Sequence, residues 1–336
     1  MLADIILKVA KEEGFLGVGE QPYRPRPSLA GPERCIRQMV YYAMGFPKAP
    51  LPGRAIMIFS DSSFHEDLTA DWIRKSAYKF HSDQMKVNLP DPLSTGSIDG
   101  IITDTIVTGF DYLYEHKGIS HFSFQNYWNG NELPLDYFSQ VALYSWGLMR
   151  EIDTLNGFCL LMKNKNTAQY MEYLGKYDKE KDVLSVNEKV HSGQPEKIEL
   201  NIELKDIIKN CVDKFNKVEN YVECKTLPKR QYDMDHWRCQ YCGWYETCYE
   251  NYREELESME DNFPLPAEIS WKLDDKKEVG KIRLSKEKEE KKLQAEIKKY
   301  MKQNDLKHCY GQNYQAELKL FKRGDSEYER LMIKKV

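Results

Sequence analysis

The chain lacks the features that would place it in a membrane or an oxidising compartment. No apolar run approaches the ~18 residues of a membrane-spanning helix. The N-terminal MLADIILKVAKEEGF is a short amphipathic pattern without the apolar block of a signal peptide, so the expectation is a cytoplasmic protein. There is no Gly-x4-Gly-Lys-Ser/Thr phosphate loop, which excludes a helicase motor of that kind. Internal repeats and low-complexity segments are missing as well. Nor is there a basic excess: 49 Lys and Arg against 53 Asp and Glu leave a net charge of -4. Because a phosphate backbone usually recruits a positive surface, any nucleic-acid contact must be local. The candidate patches are Arg34 with Arg37, Lys163 with Lys165, Lys229 with Arg230, and the stretch Lys281 to Lys307. That last stretch is interleaved with Glu287, Glu289, Glu290 and Glu296 and reads as a solvated helix face laced with ion pairs.

At 336 residues the chain can bury a sizeable core, as one large domain with an appendage or as two domains. Helices are expected over Met1 to Glu13, Glu33 to Met44, Ser62 to Tyr78, Pro134 to Ile152 and Leu204 to Val222, with strands over Phe158 to Met162 and Ala168 to Leu174. The helix from Ser62 takes Asp61 or Ser62 as its cap and Phe64, Leu68, Trp72 and Ile73 as its apolar stripe. Such a mixture predicts an α/β sandwich. Asn262-Phe-Pro-Leu-Pro266 marks a boundary between residues 1–261 and a C-terminal appendage, 262–336, with a charged helix and a small hairpin from Tyr310 to Ile333.

The stretch GSIDGIITDTIVTGFDYLYEHKG, Gly96 to Gly118, organises the rest. Two β-rich runs, Ile98 to Val107 and Phe110 to Lys117, flank a turn signal at Thr108-Gly109 and predict an antiparallel hairpin closing near Val107. Asp99 then lies roughly opposite Glu115, ~5 Å apart between Cα atoms, and Lys117 shares the face of Glu115. Two carboxylates and an ammonium at one strand end can hold a hard divalent cation and orient a water for attack on phosphate. The bland alternative is a solvated strand edge, since Glu-x-Lys recurs at Glu203/Lys205, Glu296/Lys298 and Glu317/Lys319.

Of the eight cysteines, three fall in Cys239-x2-Cys242-x5-Cys248. In a reducing compartment that spacing argues for metal binding rather than disulfides. No fourth ligand is nearby, and Cys35, about two hundred residues upstream, is the best candidate, because Cys159, Cys211 and Cys224 sit in patterns that suit plain buried thiols. From spacing alone, zinc and an iron-sulfur cluster stay open. The surrounding Trp237, Tyr241, Trp244, Tyr245 and Tyr249 could stack on unpaired bases or simply keep water off the metal.

Together these residues resemble the PD-(D/E)XK nuclease superfamily, in its RecB-like branch with an iron-sulfur cluster, which includes CRISPR-associated RecB-like exonucleases and the nuclease domain of AddB. Phe64-His65-Glu66 resembles the branch's helix histidine, Gly96-Ser-Ile-Asp99 its Gly-x-x-Asp, and Glu115-His-Lys117 its Glu-x-Lys. Gln140-Val-Ala-Leu-Tyr144 matches its Gln-x-x-x-Tyr, and Cys35, Cys239, Cys242 and Cys248 its split cluster. The resemblance implies a restriction-endonuclease-like core, a mixed central sheet flanked by helices, stapled by a 4Fe-4S cluster on the four cysteines. It implies Mg²⁺ or Mn²⁺ on His65, Asp99, Glu115 and the carbonyl of His116, with Lys117 orienting the attacking water and Gln140 and Tyr144 positioning Lys117 or the DNA. The implied activity is a DNA exonuclease, on single-stranded ends, in recombination, repair or DNA processing. Partners could be a second copy of the chain, recombination proteins, or CRISPR-adaptation proteins if the enzyme trims DNA for spacer acquisition. The competing class is an inactive DNA-binding scaffold. The segment after Asn262 matches nothing in the family core.

Overall fold

A seven-stranded mixed sheet carries the first of two units. The computed structural model describes residues 2–13, 22–104, 108–178, 180–191, 194–252, 254, 267–312, 314–323 and 326–335, and divides between Tyr252 and Arg253. In chain order the first unit comprises α1 (Leu2–Glu13), α2 (Pro27–Ala30), α3 (Ile36–Ala43), α4 (Gly53–Arg74), β1 (Lys79–His81), β2 (Lys86–Val87), β3 (Gly96–Ser97), β4 (Gly100–Thr103) and β5 (Asp111–Ile119). It continues with α5 (His121–Trp128), α6 (Leu135–Leu148), β6 (Leu155–Asn164), β7 (Tyr170–Asp178), β8 (Val183–His191), β9 (Gln194–Glu203), α7 (Leu204–Glu223), α8 (Trp237–Gln240) and α9 (Tyr245–Tyr249). The large sheet runs β1-β4-β5-β6-β7-β8-β9, and β2 pairs with β3 separately. Every neighbouring pair is antiparallel except β5 with β6. Parallel neighbours need a crossover, and α5 with α6 supplies it.

One face of the sheet packs on α6 and α7. Leu113, Phe158, Leu160, Met171 and Tyr173 meet Phe138, Val141 and Ala142 there in a dry core. A second core, with Met39, Val40, Leu143, Phe215 and Val218, joins α6 to the outer layer of α2, α3 and α7. Helix α6 is therefore enclosed on both sides, which is why even Ser139, Gln140 and Ser145 are buried in it. On the other face α4 crosses β1 and β5, and Thr69 shares a hydrogen bond with Tyr170 at 3.1 Å.

Several expectations are corrected. Helix α4 begins at Gly53, nine residues before the expected start at Ser62, so Asp61 and Ser62 are interior rather than caps. Serines fit there because Ser60 and Ser62 donate to the carbonyls of Ile56 and Ile58, each at 3.0 Å. The apolar stripe is corrected too: Phe64 and Trp72 are exposed, and the buried face is the small set Ala55, Ile56, Thr69 and Ala70. Ahead of Pro32 the chain forms the short helix α2, whose Pro27 suits a first helical position. The Ala168 to Leu174 strand is shifted to Tyr170–Asp178, and the helix expected from Glu33 starts at Ile36 with Cys35 as its N-cap. Strands β8 and β9 were not anticipated. The expected closure of the hairpin near Val107 lies outside the described residues.

The second unit comprises α10 (Ala267–Gln303) and an antiparallel sheet of β10 (His308–Tyr310), β11 (Tyr314–Arg323) and β12 (Ser326–Lys335). Ion pairs Lys281–Glu278, Arg283–Glu287 and Lys286–Glu289 run along the helix. Met301 is its buried anchor, and Lys298 donates to the carbonyl of Glu329 at 2.9 Å. No described helix in either unit is long and apolar enough to cross a membrane.

Candidate active site

The β4–β5 ladder pairs Gly100 with Tyr114 and Thr103 with Asp111. One step further back, the same register sets Asp99 opposite Glu115. The backbone N–H of His116 donates to Asp99 Oδ2 at 2.8 Å, and Lys117 Nζ donates to Glu115 Oε1. Glu115 is fully buried, and its Oε2 has no hydrogen-bond partner. An orphaned carboxylate oxygen in the interior is costly.

The surrounding charges explain the ionisation. Burial pushes the Glu115 carboxyl up to about 8; Lys117 pulls it back, while Asp99 and Glu66 add to the rise. Glu66, on α4, is pushed up to about 7 by burial and then by Asp99. Burial also raises Asp99, against the pull of Lys117 and the His116 N–H. Burial works against the charge on Lys117, but Glu115 and Asp99 outweigh it and hold the ammonium charged. Three carboxyl groups thus share one ammonium, and of these Glu115 and Glu66 retain protons near neutral pH. A cleft of about 300 Å³ opens beside them, lined by Glu66, Asp67, Asp71, Asp83 and Asp99, with Arg74 as the basic member.

Tyr144 and Gln140 stand one turn apart on α6 and are both buried. Burial, then Glu115, raises the Tyr144 hydroxyl, and Gln140 hydrogen-bonds to it and opposes that rise. Gly96 makes room for this tyrosine, since a Cβ there would lie 2.6 Å from Tyr144 Cε1. Lys117 Nζ also sits 5.7 Å from the centre of the Tyr137 ring.

The His116 backbone adjoins Asp99 through its N–H, while the imidazoles of His65 and His116 lie toward Lys163. Burial, then Lys163 and Lys165, lowers His65, and its buried Nδ1 has no hydrogen-bond partner. The His116 ring lies on the sheet face opposite Glu115 and Lys117, and burial and nearby cations push it down to about 3, so it is neutral. The group from α4 that meets Asp99 is therefore Glu66, next to the expected His65. Its only signal in the sequence is that it adjoins the histidine, because a helix mis-started by nine residues cannot be phased.

The four expected cysteines are free, and Cys35, Cys239, Cys242 and Cys248 lie within electrostatic reach of one another although they come from two distant segments. Burial raises Cys35, with Cys248 and Cys239 adding to it, and burial pushes Cys242 up to about 11, with Cys35, Cys248 and Cys239 acting the same way. The Tyr249 hydroxyl stands 3.7 Å from Cys239 Sγ and donates to the Tyr232 carbonyl at 2.7 Å. A seam of hydrogen bonds onto main-chain carbonyls joins the segments: Trp244 Nε1 to the Phe46 carbonyl at 3.0 Å, Ala49 N–H to the Gly243 carbonyl at 2.8 Å, and the Arg37 guanidinium to the Pro228 carbonyl at 2.6 Å. Of the aromatic residues around the motif, Trp244 and Tyr249 are buried, whereas Trp237 and Tyr241 are exposed.

These donor sets differ in what they suit. Buried carboxylates with an orphaned oxygen suit a hard divalent cation, and four neighbouring thiols suit a thiolate-bound iron or zinc group. Among the described residues, no three His, Cys, Asp or Glu side chains are already arranged around a single ion, so either group would have to draw its ligands inward.

No protein family matches the chain, and no curated protein does. One solved structure is similar, that of an alkaline exonuclease (LHK-Exo) from Laribacter hongkongensis, at 12% identity over 56% of this chain and 80% of that one, with a TM-score of 0.34. So slight a likeness fixes neither fold nor activity.

Proposed function

We propose that the chain is a metal-dependent deoxyribonuclease of the PD-(D/E)XK type, acting as an exonuclease on single-stranded ends. The observation that carries the reading is the group Glu66, Asp99, Glu115 and Lys117: three carboxyls that burial, and then one another's charge, push above their ordinary range around a single ammonium, with one Glu115 oxygen unsatisfied. Such an arrangement is unfavourable for stability alone. It becomes favourable when a divalent cation supplies the missing positive charge.

Asp99, Glu115 and Glu66 would hold Mg²⁺ or Mn²⁺, with the His116 carbonyl beside them, and that ion would polarise a phosphodiester oxygen. Lys117, kept charged by its carboxylates, offsets charge developing on the phosphoryl group. Gln140 and Tyr144 support Lys117 and Glu115 from the enclosed helix. His65, lacking a partner and facing lysines, is the weaker candidate for a metal ligand. Cys35, Cys239, Cys242 and Cys248 would bind a 4Fe-4S cluster with a structural role.

End-labelled single- and double-stranded DNA, incubated with each metal, tests the reading. Asp99→Ala should abolish cleavage while leaving the fold and the thiol-bound cofactor intact. Cleavage by purified Asp99→Ala at the wild-type rate would overturn the site. The product ladder from the wild-type protein reports strand preference and polarity.

A further inference from the structure

Away from the carboxylates, in the helical layer built by α3 and α7, lies a cleft of about 440 Å³. Five basic side chains line it, Arg34, Arg37, Lys214, Lys217 and Lys229, against a single carboxylate, Asp213. In a chain with more acids than bases, that concentration is a local feature. Three of the five are engaged. Arg34 pairs with Asp136 at 3.2 Å, Arg37 donates to the Tyr41 hydroxyl and the Pro228 carbonyl, and Lys214 donates to the Gly31 carbonyl. Lys217 and Lys229 are exposed and form no ion pair or hydrogen bond with any described residue. Lys214 and Lys217 lie three apart on α7, where like charges repel. Lys214 is buried to 8% exposure with a neutral carbonyl as its acceptor, and burial pushes it down to about 8, despite the opposing pull of Asp136. A buried ammonium among other cations is costly unless an anion joins it.

We infer that this cleft is a second binding site, for phosphate groups, in which Lys217 and Lys229 supply the free cations and Arg34, Arg37 and Lys214 the fixed ones. No aromatic side chain lines it, so it offers no platform for stacking bases. It fits contacts that hold a strand by its backbone without reading sequence. On the nuclease reading, the phosphates belong to a DNA strand gripped at a distance from the cut; a free polyphosphate would present the same chemistry.

The test measures binding with EDTA present, so that it does not depend on cleavage. Anisotropy of a labelled single-stranded oligonucleotide is followed across salt concentrations for the wild type, Lys217→Ala/Lys229→Ala, and the charge-matched control Lys176→Ala/Lys205→Ala at exposed lysines outside every basic patch. A lysine contacting a backbone phosphate contributes about 0.7 to the salt slope on single strands. The double variant should therefore lose about 1.4 in slope and about 25-fold in affinity near 0.1 M salt, with unchanged melting and with the control close to wild type. In a parallel arm, calorimetric titration with inorganic pyrophosphate asks whether its binding depends on the same two lysines. Loss in the oligonucleotide arm supports the cleft with DNA as the source, and loss in the pyrophosphate arm alone supports it with a free polyphosphate. No loss in either arm, or equal loss in the control, overturns it. Because no arm reads cleavage, a failed carboxylate site and a failed cleft give different results.

Discussion

Adding Mg²⁺ should stabilise the first unit, and the gain should grow with pH. In the metal-free protein, Glu115 titrates at about 8 and Glu66 at about 7, both above their ordinary 4.5. A carboxyl raised on folding contributes stability that is fully present below the unfolded value and is lost as pH rises through the folded one. Metal-free stability should therefore fall between about pH 4.5 and 8. A cation reverses the trend because it must displace those protons. At pH 7 the two groups together would release about 1.4 protons, and at pH 8.5 only about 0.3. Summed from pH 6 to pH 8.5, the competition amounts to about a thousandfold in apparent affinity, or about 4 kcal/mol of metal-driven stabilisation once the site is well filled. For a unit of this size that is roughly 8 to 16 °C in melting temperature. The assay is a melting series with and without excess Mg²⁺ across that range, with proton release measured by calorimetry in buffers of different ionisation enthalpy. A pH-independent increment, or one that survives Asp99→Asn, would refute the assignment of the cation to these carboxyls.

Other expectations follow from the same geometry. Glu66→Gln should cut the Mg²⁺-induced melting shift by more than half while His65→Ala leaves most of it, and the reverse order would restore the histidine as the ligand from α4. Gly96→Ala drives a methyl into the Tyr144 ring and should cost about 1–3 kcal/mol in denaturant unfolding; a neutral result would mean that Tyr144 repacks freely. Cys242→Ser should lower iron content and visible absorbance and reduce the melting temperature, with cleavage falling only as a consequence. Retained iron and unchanged melting would rule out the cluster.

What the sequence made legible was the local and the paired. The period of two in the hairpin, together with a glycine at Gly109 that takes φ +70°, sufficed to set Asp99 against Glu115. The four-residue spacing of Gln140 and Tyr144 sufficed to put them on one side of α6. Helix α4 was harder, because its buried face is made of small residues and its serines satisfy themselves within the helix. The sequence therefore offered a false cap at Asp61 and a false stripe through Phe64 and Trp72. That error of phase hid Glu66. In β9, Ile198, Leu200 and Ile202 alternate with Lys197, Glu199 and Asn201, a period of two that is short and set among charged residues and so gives only a weak strand signal. Arg34 with Arg37 and Lys229 stood out in the sequence as separate basic patches, but that the fold brings them to one cleft with Lys214 and Lys217 of α7 could not be read in one dimension.

The seam joining residues 46–49 to 243–244 bears on how the thiol site is filled. Small zinc modules usually collapse without their ion, because the ion supplies most of their cohesion. Here Trp244 and Ala49 already bridge the two stretches through backbone acceptors, and Arg37 adds a further tie to the Pro228 carbonyl. If the thiols do hold an iron or zinc group, the two stretches need not wait for it to meet: a newly made chain can close first, and the inorganic cargo would then only have to pull the sulfurs inward.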